Sequence, residues 1–175
     1  KSGMMKSLLH LGQLESVINQ TAGILSKDKN ASRLQNKKRL RQSSYDMIDD
    51  DASKLLLPSA AEAAWRLGQW DTLDNILDSW DKSTHREIES ESSPSRVEVD
   101  PEGRYDVSFS RAMLGLHTFD EELVTMSIKE ARNAVLLSLS GAARESYSRA
   151  YPYLLNLQCI REIEDASGLM RNENS

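Results

Sequence analysis

The sequence predicts an all-α protein: a tetratricopeptide- or HEAT-like solenoid of stacked antiparallel helix hairpins. Three observations carry that prediction. Apolar residues recur at steps of three and four in one segment after another, the period of a helix face. Strand signals are nearly absent, with no sustained alternation and no Asn-Gly or Asp-Gly hairpin turn. Finally, residues 11–17 return at 67–73: Leu-Gly-Gln is identical, then come an apolar residue, an acid, a hydroxyl and an aliphatic residue. Repetition of this kind marks arrays whose units bury their apolar faces on their neighbours.

The elements follow in order. A first hairpin spans 1–26, with Leu14, Val17, Ile18, Thr21, Ile24 and Leu25 as its stripe. Gly12 sits between its helices, in the left-handed position that costs a residue with a Cβ about 1 kcal/mol or more. The following Leu14 plugs the hairpin. A charged linker, 27–56, holds Lys27, Lys29, Arg33, Lys37, Lys38, Arg39 and Arg41, then Asp46, Asp49, Asp50 and Asp51. Its basic run, 27–41, has the composition of a nuclear-localisation or nucleic-acid patch. The neighbouring acids favour a solvated linker.

A second hairpin, 57–81, pairs the stripe Ala60, Ala61, Ala64, Trp65 and Leu67 with the stripe Trp70, Leu73, Ile76, Leu77 and Trp80. Gly68 is its turn, Trp70 its plug, and Asp71 the acid of the next helix's first turn. The segment 82–104 mixes Ser and Glu with Pro94 and Pro101 and has no apolar period, so it reads as a mobile loop. A third hairpin and a long terminal helix fill 105–168. Phe109, Ala112, Met113 and Leu116 face Val124, Ile128, Ala131, Val135 and Leu139. Leu116-His117-Thr118-Phe119-Asp120 is a weaker third copy of the turn. Tyr147, Ala150, Tyr151, Leu154, Leu157, Ile160 and Ile163 mark the last helix, which Pro152 either opens or kinks.

Composition narrows the function. The 175 residues carry a net charge of −5 and a pI near 5.3, which argues against coating duplex phosphates. No apolar run reaches the roughly 18–20 residues of a membrane span. No basic, then apolar, leader is present. The lone Cys159 excludes an internal disulfide and points to a reducing compartment. The chain begins at Lys1 rather than Met, which reads as a segment of something larger. Candidate chemistry is sparse. Gly12, Gly68, Gly103 and Gly115 stand singly, so no loop cradles a phosphate. His10, His85 and His117 lack ligand spacing, and no acid pair sits in an apolar run. No catalytic, cofactor-binding or metal-ligating residue is expected. A free-standing peptide-binding adaptor and a small all-α enzyme are the other classes.

The residues resemble a known family. Ala63-Ala64-Trp65-Arg66-Leu67-Gly68-Gln69-Trp70-Asp71 is similar to the repeat signature of the FAT domain of phosphatidylinositol 3-kinase-related protein kinases. The likeness continues through Glu145-Ser146-Tyr147-Ser148-Arg149-Ala150-Tyr151-Pro152-Tyr153 and on to Asp165. The opening Leu11-Gly12-Gln13-Leu14-Glu15 resembles the repeat just upstream in ATR-type members. That opening and the Ala-Tyr-Pro stretch favour the ATR type over the TOR type. The structural residues are therefore Leu11, Gly12, Leu14, Trp65, Leu67, Gly68, Trp70, Asp71, Tyr147, Arg149, Tyr151 and Pro152. The resemblance implies a non-catalytic scaffold that positions and regulates a Ser/Thr kinase domain outside this chain, in replication-stress and DNA-damage checkpoint signalling. ATP and Mg would serve that domain, which phosphorylates Ser/Thr-Gln sites, and no cofactor is implied here. The implied partners are the rest of the kinase chain, a homodimer mate and a recruiting subunit. Neither nucleic acid nor membrane is a direct partner. The implied compartment is the nucleus, or the cytoplasm for the TOR type. Such a segment, parted from its neighbouring repeats, should expose apolar edges and self-associate.

Overall fold

Gly12 and Gly68 adopt φ of 72° and 67°, the left-handed conformation that ends a helix and reverses the chain. Around them and a third reversal the computed structural model forms helix hairpins. It describes residues 2–23, 55–89 and 101–173. The helices are α1 (Ser2–His10), α2 (14–23), α3 (Leu57–Arg66), α4 (Trp70–Glu89), α5 (Pro101–Thr118), α6 (Glu121–Ala142) and α7 (Tyr147–Glu173). Among the described residues there is no strand. The protein is all-α, as its periodicity predicts. The chain divides into two units, residues 1–94 and 95–175.

In the first unit, Met5 and Leu9 of α1 and Val17 of α2 form one cluster with Leu56 and Ala63, the start and middle of the next hairpin. Leu8, Leu14 and Ile18 pack around it. The second hairpin is built on alanine. Ala60, Ala61, Ala63 and Ala64 of α3 are all fully buried. Small residues let two helices approach until their larger neighbours interdigitate. Leu73, Ile76, Leu77 and Trp80 of α4 are the buried stripe of the facing helix. Each large aliphatic residue buried this way contributes about 1.5–3 kcal/mol. Pro58 sits in the first turn of α3, where its missing N–H leaves no gap.

In the second unit, α5, α6 and α7 share a core of Ala112, Val124, Ile128, Ala131, Val135, Ile160 and Ile163. Tyr105, Phe109, Met113, Leu116, Tyr153 and Leu157 pack at its edge. The α5–α6 crossing is tight at Gly115. A Cβ there would lie 2.8 Å from Val124 Cγ2 and 3.1 Å from the Val124 nitrogen. At the α6–α7 seam, Arg132 donates to Glu164 at 2.5 Å. Three hairpins and a long last helix are thus all present.

Several boundaries differ from the sequence reading. The segment 82–104 is not all loop. α4 runs on through Glu89 and α5 begins at Pro101. Ser83 and Thr84 return their hydroxyls to the Trp80 carbonyl at 2.7 and 3.0 Å, so these hydroxyl residues sit in the helix rather than breaking it. Pro101 is the first helical residue, where proline fits. Residues 90–100 and the linker residues 27–54 lie outside the described residues, as do 24–26. Pro152 does not open α7, since the helix starts five residues earlier at Tyr147 and continues past it.

Candidate interaction surface

The three turns share one hydrogen-bond pattern. At the first, Gly12 N donates to Leu9 O and Gln13 N to Leu8 O, at 3.0 and 2.9 Å. At the second, Gly68 N donates to Trp65 O and Gln69 N to Ala64 O, at 3.0 and 2.9 Å. At the third, Phe119 N donates to Leu116 O and Asp120 N to Gly115 O, at 3.4 and 2.9 Å. These paired bonds are the Schellman closure of a helix C-terminus. The third copy is therefore real, but its register is two residues later than the sequence suggested. Phe119, not His117, takes the glycine position, with φ of 58°. In this register Met5, Ala61 and Ala112 coincide, as do Val17, Leu73 and Val124, and all six are buried. Asp120 then closes the turn by accepting the Leu123 N–H at 2.9 Å, an N-cap for α6.

The turn residues singled out by sequence fall into two groups. Gly12 and Gly68 shape backbone, and Asp71 is an exposed acid in the first turn of α4. Leu14 packs on the first cluster, and Trp65 and Trp70 are half-buried. Leu11 and Leu67, in contrast, point into solvent. The Tyr147–Pro152 motif is also a surface, not a core. Tyr147 is 74% exposed and Tyr151 48%, their rings 6.2 Å apart. Leu154 and Leu155 continue the stripe on the same face, opposite the buried Ile160 and Ile163. Arg149 pairs with Glu145 on the rim, and Ser146 caps the helix by accepting the Arg149 N–H at 3.3 Å. Leu136 and Leu137 of α6 are exposed as well. Contiguous apolar surface of this kind marks a contact site.

Between α6 and α7 lies an open groove of about 580 Å³. Val124 and Ile128 floor it, and Lys129, Arg132, Arg161 and Glu164 wall it. Arg132 and Arg161 are held by Glu164 and Asp165. Lys129 is exposed on the groove wall. Among the described residues no cluster of His, Cys, Asp or Glu could hold a metal ion, and no helix is long and apolar enough to cross a membrane. Cys159 is half-buried on α7. Phe119, Gly115 and Lys129 were not singled out as site residues by sequence. The available signal for the first was the Asp120-Glu121-Glu122 run, whose first acid had to be the helix cap.

Residues 57–175 match the family model of the FAT domain. The chain is similar to serine/threonine-protein kinase ATR of Oryza sativa subsp. indica, 32% identical over 114 residues. It is similar to ATR of Arabidopsis thaliana, 29% identical over 113 residues. Serine/threonine-protein kinase TOR of Arabidopsis thaliana is 26% identical over 110 residues. These alignments cover 65%, 65% and 63% of the chain. The chain spans 4% of the length of each of these relatives. No solved structure matches it.

Proposed function

From the premise that the chain belongs to the FAT domain family, we propose that it is a non-catalytic scaffold segment of an ATR-type Ser/Thr protein kinase. In this reading it acts in replication-stress and DNA-damage checkpoint signalling from the nucleus. Its work is geometric. Within each unit, buried apolar faces fix how its own helices lie, and in the proposed role such hairpins relay orientation to a kinase domain that binds ATP and Mg. The rest of the kinase chain, a homodimer mate and a recruiting subunit are its partners. The observation that carries the reading is the outward stripe Tyr147, Tyr151, Leu154 and Leu155 on α7. It coincides with the residues of the FAT likeness, and a neighbouring element of a longer protein would cover it. A TOR-type kinase is the second reading, supported by the Arabidopsis TOR similarity over 63% of the chain.

The test uses the full-length gene product and a Ser-Gln peptide. Tyr151→Ser with Leu155→Ser should lower kcat about fivefold, because coupling through packed elements is typically worth about 1 kcal/mol. KM for ATP should stay unchanged. Full activity in the double variant would sink the scaffold reading. Phosphorylation of TOR-type substrates but not of Ser-Gln peptides would select the second one.

A further inference from the structure

The two long helices of the second unit begin differently. At the start of α6, Asp120 accepts the Leu123 N–H at 2.9 Å. Glu121 and Glu122 put negative charge on the positive end of the helix dipole, and Val124 is fully buried. The first turn of α7 carries no acid, and Arg149 sets a cation there instead. The exposed pair of Arg149 with Glu145 offsets little of that. The Ser146 cap is longer, at 3.3 Å. From 143 to 152 only Ala150 is buried. Pro152 then interrupts the ladder, because it has no N–H for the Ser148 carbonyl and its ring crowds that oxygen. Directly after it the anchoring begins. Tyr153 and Leu157 pack on the core, Ile160 and Ile163 lie inside it, and the Tyr153 hydroxyl donates to Glu102 at 3.3 Å.

We infer that Pro152 divides α7 into an anchored shaft, from Tyr153 onward, and a weakly held first turn, Tyr147–Tyr151, that opens by itself while the shaft stays folded. A segment with few buried contacts and exposed backbone bonds opens well below the free energy of global unfolding. That turn carries Tyr147 and Tyr151, half of the outward stripe, whereas Leu154 and Leu155 stand on the shaft. The stripe is therefore a switch as well as a surface. This step rests on the reading that a neighbouring element covers the stripe. The neighbour meets the tyrosines in place only when the turn is closed, so its contact and the ordering of the turn are one equilibrium. Whatever holds the turn open weakens the contact, and whatever closes it tightens the contact.

The experiment is hydrogen–deuterium exchange, read by mass spectrometry on the 175-residue chain and on the full-length gene product. In the chain alone, the amides of Ala150, Tyr151, Tyr153 and Leu154 should exchange at least about tenfold faster than those of Val124, Thr125, Ser127 and Ile128. The latter stand at the same places from the start of α6. Pro152→Ala should slow the first turn of α7 at least about tenfold, and leave Ile160 and Ile163 as protected as before. Ser148→Glu, which puts an acid in that turn, should slow it about two- to fivefold. In the full-length protein the turn should exchange at least about tenfold more slowly than in the chain alone. A first turn as slow as that of α6 in the chain alone, or one that Pro152→Ala leaves unchanged, would overturn the hinge while the scaffold reading stands. Exchange equally fast in the two contexts would overturn the switch. The kcat of Tyr151→Ser with Leu155→Ser decides separately whether the scaffold reading falls with it.

Discussion

Gly115→Ala sets two physical effects against each other. Glycine inside a helix is roughly 0.8–1 kcal/mol worse than alanine, so propensity alone predicts a stabilised α5. The structure predicts the opposite sign. The added Cβ would lie 2.8 Å from Val124 Cγ2, 3.1 Å from the Val124 nitrogen and 3.3 Å from the Asp120 carbonyl oxygen. A methyl group can turn away, but two of these three atoms are backbone at the N-terminus of α6. Forcing an atom into such a contact costs about 1–3 kcal/mol. With the propensity gain subtracted from the upper part of that range, the net loss is about 1–2 kcal/mol. For a chain of this length it corresponds to a fall in Tm of roughly 2–8 °C. Gly168→Ala is the control, because a Cβ there meets nothing within 4 Å in the long helix α7. It should raise Tm by up to roughly 2–4 °C. Thermal unfolding followed by circular dichroism reads both. If Gly115→Ala raised Tm as Gly168→Ala does, α5 and α6 would not approach at Gly115 as described.

Other substitutions test the turns and the core. Gly68→Val should cost about 1–2 kcal/mol, since the φ of 67° is strained for any residue with a Cβ; an unmoved Tm would show that this turn is not left-handed. Asp120→Ala should cost about 1 kcal/mol by removing the α6 cap, and Asp120→Asn should retain most of it, as read by denaturant midpoint. Leu73→Ala, at a fully buried position between α3 and α4, should lose about 2–5 kcal/mol. A loss under about 1 kcal/mol there would mean that the second hairpin is loosely packed.

The fold was legible wherever one residue type has one physical use. Glycine in Leu-Gly-Gln could only be a reversal, and both copies are. The alanine and leucine stripes of α3 and α4 could only face each other. Legibility failed where a residue serves a rarer purpose. Phe119 in a glycine position hides the third turn from any search for glycine, and the sequence match falls two residues early. Ser83 and Thr84 look like loop residues, but within α4 they bond the preceding turn's carbonyl. On α7, Tyr147, Tyr151 and Leu154 share helical spacing with Ala150, Leu157, Ile160 and Ile163. A period alone does not say which of two apolar faces is buried. Ala150, Ile160 and Ile163 turned out to be inside, and the tyrosines outside. The groove walls combine charges from α6 and α7 some 30 residues apart, a juxtaposition that only packing reveals.

The exposed tyrosines of α7 offer the most direct test of the scaffold role. Hydroxyl-radical footprinting would compare Tyr147 and Tyr151 in the chain alone and in the full-length gene product. Both should be readily oxidised in the isolated chain, where they are 74% and 48% exposed, and shielded in the full-length protein, where a neighbouring element covers the stripe. Equal oxidation in the two contexts would contradict a scaffold whose last helix passes its orientation onward through that face.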